Sequence, residues 1–512
     1  MQWTEQQLAI VGRAAKGDDV KVLAYAGTGK TTTLVGVAEA LPRRRVLYLA
    51  FNRAIAEEAA RRFPDHVDCR TAHSLAFREV GRLYADRLAN SLWAVRRELS
   101  DPAPPEIKRL DGYRTPPEPG QDVRAWERRV RRANASAVLH VVEAFLRSAD
   151  PEPRYVPRDV VDLAADPRMA EEWKRDLLRA ATWVWDRLSN PGAQWPVTHD
   201  VYLKLWQLSN PELPYNTLLF DEAQDADPVI SAVVAAQEGT QRVYVGDQHQ
   251  QIYAWRGAVD ALRRFQAVSL PLSQSWRFGP NIAEMANRVL VAKGEAVPLE
   301  GLAQFPGLVT DLADPDPIGL TELHRTNAGL VASALKHLDE GRRPAVVGGT
   351  ASLAKLLEAA HELWSTGYTS HPELSVFGSW DELLLAVQEG QQEYAPLTRL
   401  VEQYGSAVPS VADRLRREVV GEEQADVILS TAHKAKGRQW ARIVLRGFAS
   451  PVQVARDEQG NRVVVGLREG EANLLYVSMT RAQRELHLAG LQSTLIADLE
   501  ELAGTGKIPA GV

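Results

Sequence analysis

The sequence predicts an α/β protein with two parallel-sheet cores, each carrying a mainly helical insertion. Short apolar runs alternate with helical segments near the amino terminus, and the same alternation returns after residue 270. Such alternation is typical of parallel sheets whose strands are joined by helices. Residues 78–204 and 351–421 instead show helical spacing with no evident buried strand. The layout therefore repeats: an α/β core, interrupted once by helices, occurs twice.

The elements can be assigned in chain order. The expected elements of the first core are an amphipathic helix at residues 3–11 and strands at 20–25, 44–51, 216–225 and 242–247. The expected strands of the second core are residues 345–349, 426–430, 442–448 and 485–490. The predicted domains are a first core of residues 1–77 and 205–269, its insertion 78–204, a second core of 270–350 and 422–512, and its insertion 351–421.

The composition is that of an ordinary globular protein, with 45% apolar and 25% charged residues among 512. The length suggests about three or four domains. The single cysteine, Cys69, excludes a disulfide framework and fits a reducing cytoplasm, where we expect a small buried hydrophobic residue. No signal peptide or long apolar run is evident, so we expect a cytoplasmic protein, nucleoid-associated if bacterial, without a membrane span. The net charge of −6 means that nucleic acid would need a local basic surface.

The segment AYAGTGKTT, residues 24–32, lies between the first strand and a helical run. A strand, a loop of small residues, Gly-Lys-Thr and a helix together form the phosphate-binding P-loop pattern. Gly27 and Gly29 have no Cβ, so successive N–H groups can converge on phosphate oxygens. Lys30 would reach the β- and γ-phosphates, and the Thr31 hydroxyl would bind Mg²⁺. The expected nucleotide-binding residues of this loop are Ala26, Gly27, Thr28, Gly29, Lys30, Thr31 and Thr32.

One position of this loop departs from the usual pattern, since Ala24 stands where the first glycine is expected. Because that position lies at the mouth of the loop, a methyl group is compatible with phosphate binding. The alternative is a glycine-rich turn in which Lys-Thr occurs by chance. The strand before the loop and the helix after it argue against that alternative.

Two adjacent carboxylates, Asp221 and Glu222, end an apolar run in the first core. An aspartate in this position completes the shell of a nucleotide-bound Mg²⁺, and the next glutamate can orient or deprotonate the attacking water. A solvated acidic turn is the alternative. The apolar strand before the pair and the P-loop upstream favour the catalytic interpretation.

Three further blocks adjoin predicted strands: VGDQHQQIYAWRGA at residues 245–258, STAHKAKGRQW at 430–440 and LLYVSMTRAQRE at 474–485. In this order they resemble the motifs of superfamily 1A DNA helicases of the UvrD/Rep type. The amino-acid sequences of the last two blocks resemble those of the F-box DNA helicase branch. The resemblance implies two RecA-like P-loop cores that close on ATP and Mg²⁺. It also implies movement along single-stranded DNA in the 3′ to 5′ direction, with separation of duplexes.

The resemblance assigns roles around the nucleotide. Gln6 would contact the adenine edge, and Trp276 would stack on the adenine ring. Gln250 would sense the γ-phosphate, while Arg277 and Arg481 would stabilise the charge of the transferring phosphoryl group. An ordinary surface ion pair is the alternative for either arginine. The residues expected to catalyse ATP hydrolysis are Lys30, Asp221, Glu222, Gln250, Arg277 and Arg481.

The resemblance also implies a single-strand track lined by Phe51, Thr71, His73, Tyr253, Trp255 and Arg256. Aromatic side chains suit such a track because every base offers a face for stacking, which contributes about 1–3 kcal/mol per base. Phe51 and Tyr253 could equally belong to the core. Trp255, beside Arg256 after a polar run, is the stronger candidate, again with a core position as the alternative.

Several positions depart from the family pattern. Gln248 and His249 replace residues that are usually acidic, and Thr32 replaces a common arginine. Gln439 replaces a glutamate that contacts the ribose, so it would bind the sugar without a charge. The second insertion is much shorter than in UvrD or Rep, which implies a reduced 2B domain.

The expected function is an ATP-dependent translocase and helicase acting on single-stranded DNA and on single/double-strand junctions, as a monomer and without a membrane partner. A DNA-stimulated ATPase that strips or remodels protein–DNA complexes without processive unwinding is one alternative. A non-catalytic nucleotide-binding scaffold is another, and the intact catalytic set argues against it. Residues 124–132 carry five arginines and one glutamate. The sequence is compatible both with a solvated helix face and with a DNA-contacting face for that cluster.

Overall fold

The computed structural model of the 512-residue chain describes residues 3–117, 119–120, 122–157, 160, 169–252, 261–371, 373–374, 377–388, 394–457 and 459–504. The described residues form two compact units. The first unit takes its residues from Met1–Leu23, Lys30–Gln248 and Tyr253–Leu270. The second takes its residues from Ala24–Gly29, His249–Ile252 and Pro271–Val512. Neither unit is therefore one continuous stretch of sequence.

The first sheet has six strands in the order β3-β2-β4-β5-β1-β6. Its strands are β1 (Val20–Ala24), β2 (Val46–Ala50), β3 (Val67–Thr71), β4 (Thr217–Phe220), β5 (Gln241–Gly246) and β6 (Val268–Leu272). The pairs β3/β2, β2/β4, β4/β5 and β5/β1 are parallel. Every residue of β2 and β4 is buried, as expected of central strands covered on both faces. Parallel pairing brings the carboxyl ends of these strands to one edge of the sheet.

Helices and sheet share one hydrophobic core in the first unit. The helices are Glu5–Ala15, Lys30–Glu39, Arg53–Ala60, Ala72–Glu79, Arg96–Ser100, Pro105–Lys108, Val123–Leu146, Ala170–Ser189, His199–Leu208, Pro228–Ala235 and Ala261–Arg264. One buried cluster contains Trp173 and Trp206, from the helices Ala170–Ser189 and His199–Leu208, together with Leu47 and Leu218 from the sheet. These helices therefore pack on the sheet and do not form a separate core.

The second unit contains a second six-stranded parallel sheet, in the order β7-β14-β11-β8-β10-β9. The strands of this unit are β7 (Leu308–Thr310), β8 (Leu320–His324), β9 (Pro344–Val346), β10 (Val427–Thr431), β11 (Trp440–Arg446), β12 (Val452–Arg456), β13 (Arg462–Leu467) and β14 (Ala482–His487). The remaining two strands, β12 and β13, form an antiparallel pair of their own.

The helices of the second unit cover two hydrophobic clusters. They are Pro280–Ala292, Asn327–Asp339, Ala351–Thr366, Trp380–Gln388, Ala395–Tyr404, Val408–Glu418, Ala432–Ala435, Glu469–Met479 and Gln492–Gly504. One cluster includes Phe278 and Leu475, and the other includes Leu356 and Leu415 from the second insertion. Across the described ranges, no helix combines the length and the apolarity that crossing a membrane requires.

The predicted fold class is confirmed, because two parallel-sheet α/β cores with helices are present. Each predicted strand is found with its bounds shifted by a few residues. Six strands were not predicted. Of these, β3, β6 and β7 lie at sheet edges, and β12 and β13 form the separate pair. The sequences of β3, β6 and β12 mix apolar with polar residues or proline and contain no apolar run longer than two residues. In β8 the buried residues include Glu322 and His324, so its sequence is polar although all five residues are buried.

Cys69 departs from the prediction of a buried residue. It lies in the edge strand β3 and is only half-buried. An edge strand is covered on fewer sides than a central one, which explains the exposure. Partial burial still raises the pKa of the Cys69 thiol to about 11. The thiol is therefore not activated as a nucleophile.

Candidate functional site

The predicted phosphate-binding loop joins β1 to the helix Lys30–Glu39. Gly27 and Gly29 have φ angles of 75° and 80°, in the left-handed region that favours glycine. A Cβ on Gly27 would lie 2.6 Å from Ser275 Oγ and 2.8 Å from Arg277 Cβ. Backbone conformation and close packing therefore both require glycine at position 27.

Hydrogen bonds within the second unit fix the shape of this loop. The Ala26 N–H donates to the Tyr476 hydroxyl oxygen at 3.1 Å. The Gly27 carbonyl accepts from the Trp276 N–H at 2.8 Å. A loop held in this way loses little conformational freedom when it binds an anion. Tyr476 was not singled out from the sequence, because its partner lies 450 residues away.

Lys30 forms an ion pair in the first unit, with its Nζ 2.8 Å from Glu222 Oε1. Burial lowers the pKa of Lys30, but the negative charges of Glu222, Asp221 and Asp247 outweigh burial, and the pKa is raised overall. Lys30 is therefore a cation at neutral pH, as its predicted role on phosphate requires.

Asp221 directly follows β4 and is 5% exposed. Its Oδ2 accepts from the Tyr48 hydroxyl at 2.7 Å, and its Oδ1 accepts from the backbone N–H of Glu222 at 2.9 Å. Burial and the adjacent charge of Glu222 raise the pKa of the Asp221 carboxyl. Glu222 has φ 52° and ψ 39°, a left-handed conformation that strains a residue with a side chain. Such strain is concentrated at functional sites in folded proteins.

The oxygen donors next to Lys30 fit Mg²⁺. This ion prefers oxygen ligands and is commonly held by one or two carboxylates together with phosphate oxygens. Asp221 offers a carboxylate at the end of β4, and Thr31 offers a hydroxyl on the first turn of the helix Lys30–Glu39. Among the residues that the structure describes, no group of three or more His, Cys, Asp or Glu side chains could hold a metal. A metal at Asp221 would therefore depend on phosphate oxygens as well.

Gln224, which was not predicted as a site residue, connects the ends of β4 and β5. Its Nε2 donates to Glu222 Oε2 at 2.6 Å, and its Oε1 accepts from the Asp247 N–H at 3.0 Å. A Cβ on Gly246 would lie 2.2 Å from Gln224 Oε1, so glycine makes room for the amide. In the sequence, the position of Gln224 only two residues after Glu222 was the signal that could have identified it as a site residue.

In the second unit, Arg481 is 1% exposed and contacts Gln250. Its Nη2 donates to Gln250 Oε1 at 3.3 Å and to Thr480 Oγ1 at 3.2 Å, and its Nε donates to the Val477 carbonyl at 2.9 Å. These three partners are neutral, so these bonds do not cancel the guanidinium charge. The alternative of a surface ion pair does not describe this buried arginine.

Arg277 contacts another predicted site residue, Gln439. Its Nε donates to Gln439 Oε1 at 2.9 Å, and its Nη1 donates to the Thr480 carbonyl at 2.9 Å. The neighbouring Trp276 is 46% exposed, so part of its ring surface is accessible to a ligand. Arg277 and Arg481 both bond to Thr480, which makes this threonine a shared anchor of the two predicted arginines.

The adjacent glutamines near the amino terminus have different surroundings. Gln6 lies in the first turn of the helix Glu5–Ala15 and is half-buried. Gln7 is buried, and its Nε2 donates to Thr33 Oγ1 at 3.3 Å, while its Oε1 accepts from the Thr4 N–H at 3.0 Å. The contact with the helix after the P-loop is thus made by Gln7, which was not predicted.

Three predicted DNA-contacting residues lie at the carboxyl ends of neighbouring strands in the first sheet. Phe51 follows β2 and is 54% exposed, so a core position does not describe it. Thr71 ends β3 and accepts from the Ser74 N–H at 3.1 Å, which caps the helix Ala72–Glu79. His73 Nε2 lies 3.6 Å from Asp200 Oδ1. Parallel pairing of β2 with β3 brings Phe51 and Thr71 to the same edge.

The other predicted DNA contacts lie outside the described residues. They are Tyr253, Trp255 and Arg256. Their place in a single-strand track stays a prediction, as does the choice between a core and a ligand-binding position for Tyr253 and Trp255.

Two known DNA helicases are similar to nearly the whole of this chain. F-box DNA helicase 1 of Gallus gallus is 30% identical over 537 aligned residues, which cover 98% of this chain and 50% of that protein. F-box DNA helicase protein 1 of Schizosaccharomyces pombe is 29% identical over 523 residues, covering 95% and 57%. ATP-dependent DNA helicase UvrD2 of Mycobacterium tuberculosis is 25% identical over 343 residues, covering 54% and 47%. Residues 6–256 also match a family model described as "AAA domain".

This chain is similar to superfamily 1 helicases, including those of the F-box DNA helicase branch. The resemblance inferred from the motifs is thereby confirmed. The chain spans about half the length of the curated relatives that it matches.

Two departures from the helicase pattern have a structural counterpart. His249 stands where the helicases usually have an acidic residue, and its Nε2 is 3.1 Å from Glu295 Oε1. Thr32 replaces a common arginine, and its Oγ1 accepts from Arg62 at 3.1 Å. In both cases the substituted residue contacts a residue of the same unit whose side chain carries the kind of charge that the motif lacks.

The chain has the tripeptide Thr-Ala-His at the end of one strand in each of its two parallel sheets. Thr71 ends β3 in the first unit, and Thr431 ends β10 in the second. Thr431 accepts from the Lys434 N–H at 3.4 Å, just as Thr71 caps its own helix. His433 therefore occupies the position in the second unit that His73 occupies in the first. Thr431 and His433 were not predicted, although the repeated tripeptide was visible in the sequence.

The five arginines of residues 124–132 divide into two groups on the helix Val123–Leu146. Arg131 forms ion pairs with Asp111 at 3.5 Å and with Glu127 at 3.0 Å. The exposed group consists of Arg124, Arg128, Arg129 and Arg132. Both interpretations of the exposed group, a solvated face and a DNA-contacting face, stay open.

Proposed function

We propose that this chain is an ATP-driven translocase on single-stranded DNA that moves 3′ to 5′ and separates duplexes. The observation that supports it most is the contact between Arg481 and Gln250 at 3.3 Å. An arginine that stabilises the transferring phosphoryl group and a glutamine that senses the γ-phosphate would then respond together to hydrolysis. A non-catalytic scaffold would need neither residue, and both belong to the unit that includes the loop Ala24–Gly29.

Each polar residue near β4 would have a role in ATP hydrolysis. Thr31 and Asp221 would hold Mg²⁺, and the bound ion would neutralise negative charge that develops on the transferring phosphoryl group. Lys30 would bind the phosphates. Glu222 would orient or deprotonate the water, which requires the Lys30–Glu222 ion pair of 2.8 Å to open. Phosphate oxygens can replace Glu222 as the partner of Lys30, so nucleotide binding itself would release the catalytic carboxylate.

The second unit would supply the remaining contacts to the nucleotide. Arg277 and Arg481 would stabilise the charge spread over the transferring phosphoryl group. Trp276 would stack on adenine and Gln439 would hydrogen-bond the ribose. Gln6 would contact the adenine edge from the helix Glu5–Ala15.

Single-stranded DNA would be held by backbone contacts and by base stacking. Phe51 is exposed at the end of β2, and Thr71 and His73 lie at the end of the neighbouring strand β3. Tyr253, Trp255 and Arg256 would continue the track. Stacking on aromatic rings does not depend on base identity, which suits an enzyme that moves along any sequence.

Two assays test the proposal. Steady-state ATP hydrolysis is measured with and without single-stranded DNA, and unwinding is measured on duplexes with either a 3′ or a 5′ tail. We expect DNA to stimulate hydrolysis and the 3′-tailed duplex to be unwound preferentially. Hydrolysis at background in both conditions would instead support a scaffold, and preference for the 5′ tail would overturn the proposed polarity.

A second candidate is a DNA-stimulated ATPase that removes proteins from DNA without processive unwinding. The small size of the predicted second insertion favours it, since the α-helices among its described residues are Ala351–Thr366, Trp380–Gln388, Ala395–Tyr404 and Val408–Glu418. Displacement of streptavidin from biotinylated single-stranded DNA, measured beside duplex unwinding, separates the two. Displacement without unwinding would favour this second candidate.

A further inference from the structure

The buried tyrosine of β2 contacts the predicted Mg²⁺ ligand. Tyr48 is 0% exposed, and its hydroxyl donates to Asp221 Oδ2 at 2.7 Å. Its ring packs against Phe63 with centroids 4.7 Å apart. In the sheet Tyr48 lies opposite Leu219 of β4, two residues before Asp221. Strand register and ring packing thus both hold the hydroxyl beside the carboxylate.

Each oxygen of the Asp221 carboxylate receives a hydrogen bond from a different source. Oδ2 accepts from Tyr48, and Oδ1 accepts from the Glu222 N–H at 2.9 Å. Two donors on opposite oxygens fix the plane of the carboxylate. An ionised carboxylate offers about four lone-pair sites, so each oxygen keeps the capacity to bind a further partner. The two hydrogen bonds therefore hold the plane of the Asp221 carboxylate and leave its oxygens able to bind a metal ion.

Burial of the Tyr48 hydroxyl favours its hydrogen bond to Asp221. A buried hydroxyl left without an acceptor costs about 1–3 kcal/mol, so Tyr48 favours the Asp221 orientation that satisfies it. This preferred orientation of Asp221 matters for a metal only if Asp221 binds Mg²⁺, so the inference rests on the proposed function. Hydrogen bonds of this kind commonly orient metal ligands in proteins.

We propose that Tyr48 is a positioning residue that holds the Asp221 carboxylate in the orientation that binds Mg²⁺ with the nucleotide. It would act through Asp221 and would not touch the metal or the phosphates. Tyr48→Phe keeps the buried ring and removes only the hydroxyl, so it tests the hydrogen bond with little change in packing.

The experiment measures Mg²⁺-dependent binding of a fluorescent ADP analogue to purified protein. In EDTA, we expect Tyr48→Phe to bind the analogue within about twofold of wild type. The Mg²⁺ concentration that gives half of the metal-dependent gain in affinity should rise about tenfold, the lower end of the effects seen when such partners are removed. ATP turnover should fall at low Mg²⁺ and recover at high Mg²⁺.

Tyr244→Phe is the matched control, because Tyr244 is also buried in this sheet, on β5. Within the described ranges, its hydroxyl contacts neither Asp221 nor Glu222. We expect this variant to keep the wild-type Mg²⁺ response. A lower melting temperature of Tyr48→Phe with an unchanged Mg²⁺ midpoint would overturn the inference, and so would tighter Mg²⁺ binding. If wild-type protein shows no Mg²⁺-dependent nucleotide binding at all, the proposed function fails instead.

Discussion

The predicted nucleotide residues of the two units handle charge in different ways. In the first unit, Lys30 is neutralised by Glu222 at 2.8 Å. In the second unit, the guanidinium of Arg481 bonds to neutral oxygens, including Gln250 Oε1 at 3.3 Å, and Arg277 bonds to Gln439 Oε1 at 2.9 Å. The first group must rearrange before it can bind phosphate. The hydrogen bonds from Arg481 and Arg277 to neutral oxygens orient the two guanidinium groups without cancelling their charge, as preorganised stabilisation of developing charge requires.

The largest effect should come from the first group. Lys30→Ala is expected to reduce ATP turnover to near background at saturating single-stranded DNA, because the phosphates lose their point charge. The melting temperature should change much less than turnover, since the variant removes the ion pair with Glu222 at the start of a helix and leaves the apolar core intact. Lys355→Ala, an exposed lysine on the helix Ala351–Thr366, is the control and should retain turnover. Unchanged turnover in Lys30→Ala would show that this loop is not the catalytic phosphate site.

Arg481→Ala should lower turnover strongly while nucleotide affinity stays within a few-fold of wild type. Arginine fingers contribute about 10³–10⁵ in rate, and two arginines here would share that effect. Turnover measured by steady-state hydrolysis is compared with ADP affinity measured by fluorescence. Because Arg481 is buried, Arg481→Lys serves as the control that keeps the charge and loses the fork of donors. Loss of affinity with turnover retained would contradict the assignment.

Trp255→Ala asks whether the segment after Gln250 carries the signal to DNA. Removing the indole should cost about 1–3 kcal/mol of stacking, which corresponds to up to about a hundredfold in DNA affinity. DNA-independent hydrolysis and the melting temperature should stay near wild type, and DNA stimulation should be lost. Trp364→Ala is the control, because Trp364 is a tryptophan that is 41% exposed and lies in the predicted second insertion. A large fall in melting temperature would place Trp255 in the core.

The smallest effect is expected at the exposed arginines of the helix Val123–Leu146. If these charges bind DNA, the triple variant Arg128→Ala, Arg129→Ala, Arg132→Ala should weaken binding to a tailed duplex and flatten its salt dependence. The slope of log affinity against log salt should fall by about 0.9 for each duplex phosphate that the variant no longer neutralises. The control is the double variant Arg414→Ala, Arg416→Ala on the helix Val408–Glu418, where both arginines form ion pairs. Equal salt slopes in wild type and both variants would show a solvated face.

Local chemistry made much of the candidate nucleotide site visible in the sequence. The P-loop glycines, Lys30 and Thr31 lie within a few residues of one another, and the structure gives Gly27 the left-handed backbone that the pattern requires. Asp221 and Glu222 follow a strand that its apolar residues make evident. The other strands with strong apolar runs were predicted for the same reason. The edge strands β3, β6 and β7 were missed because they lack the long apolar run by which the buried central strands were recognised.

The sequence by itself determined which side chains are candidates for the chemistry, because phosphate binding and metal binding require particular residue types at short spacing. Only the tertiary structure decided how those side chains are held. Tyr48 and Asp221 are 173 residues apart, and Gln250 and Arg481 are 231 apart. Whether such pairs meet depends on strand register and on packing within each unit. Periodicity shows that a segment is buried, but it does not show which residue lies opposite.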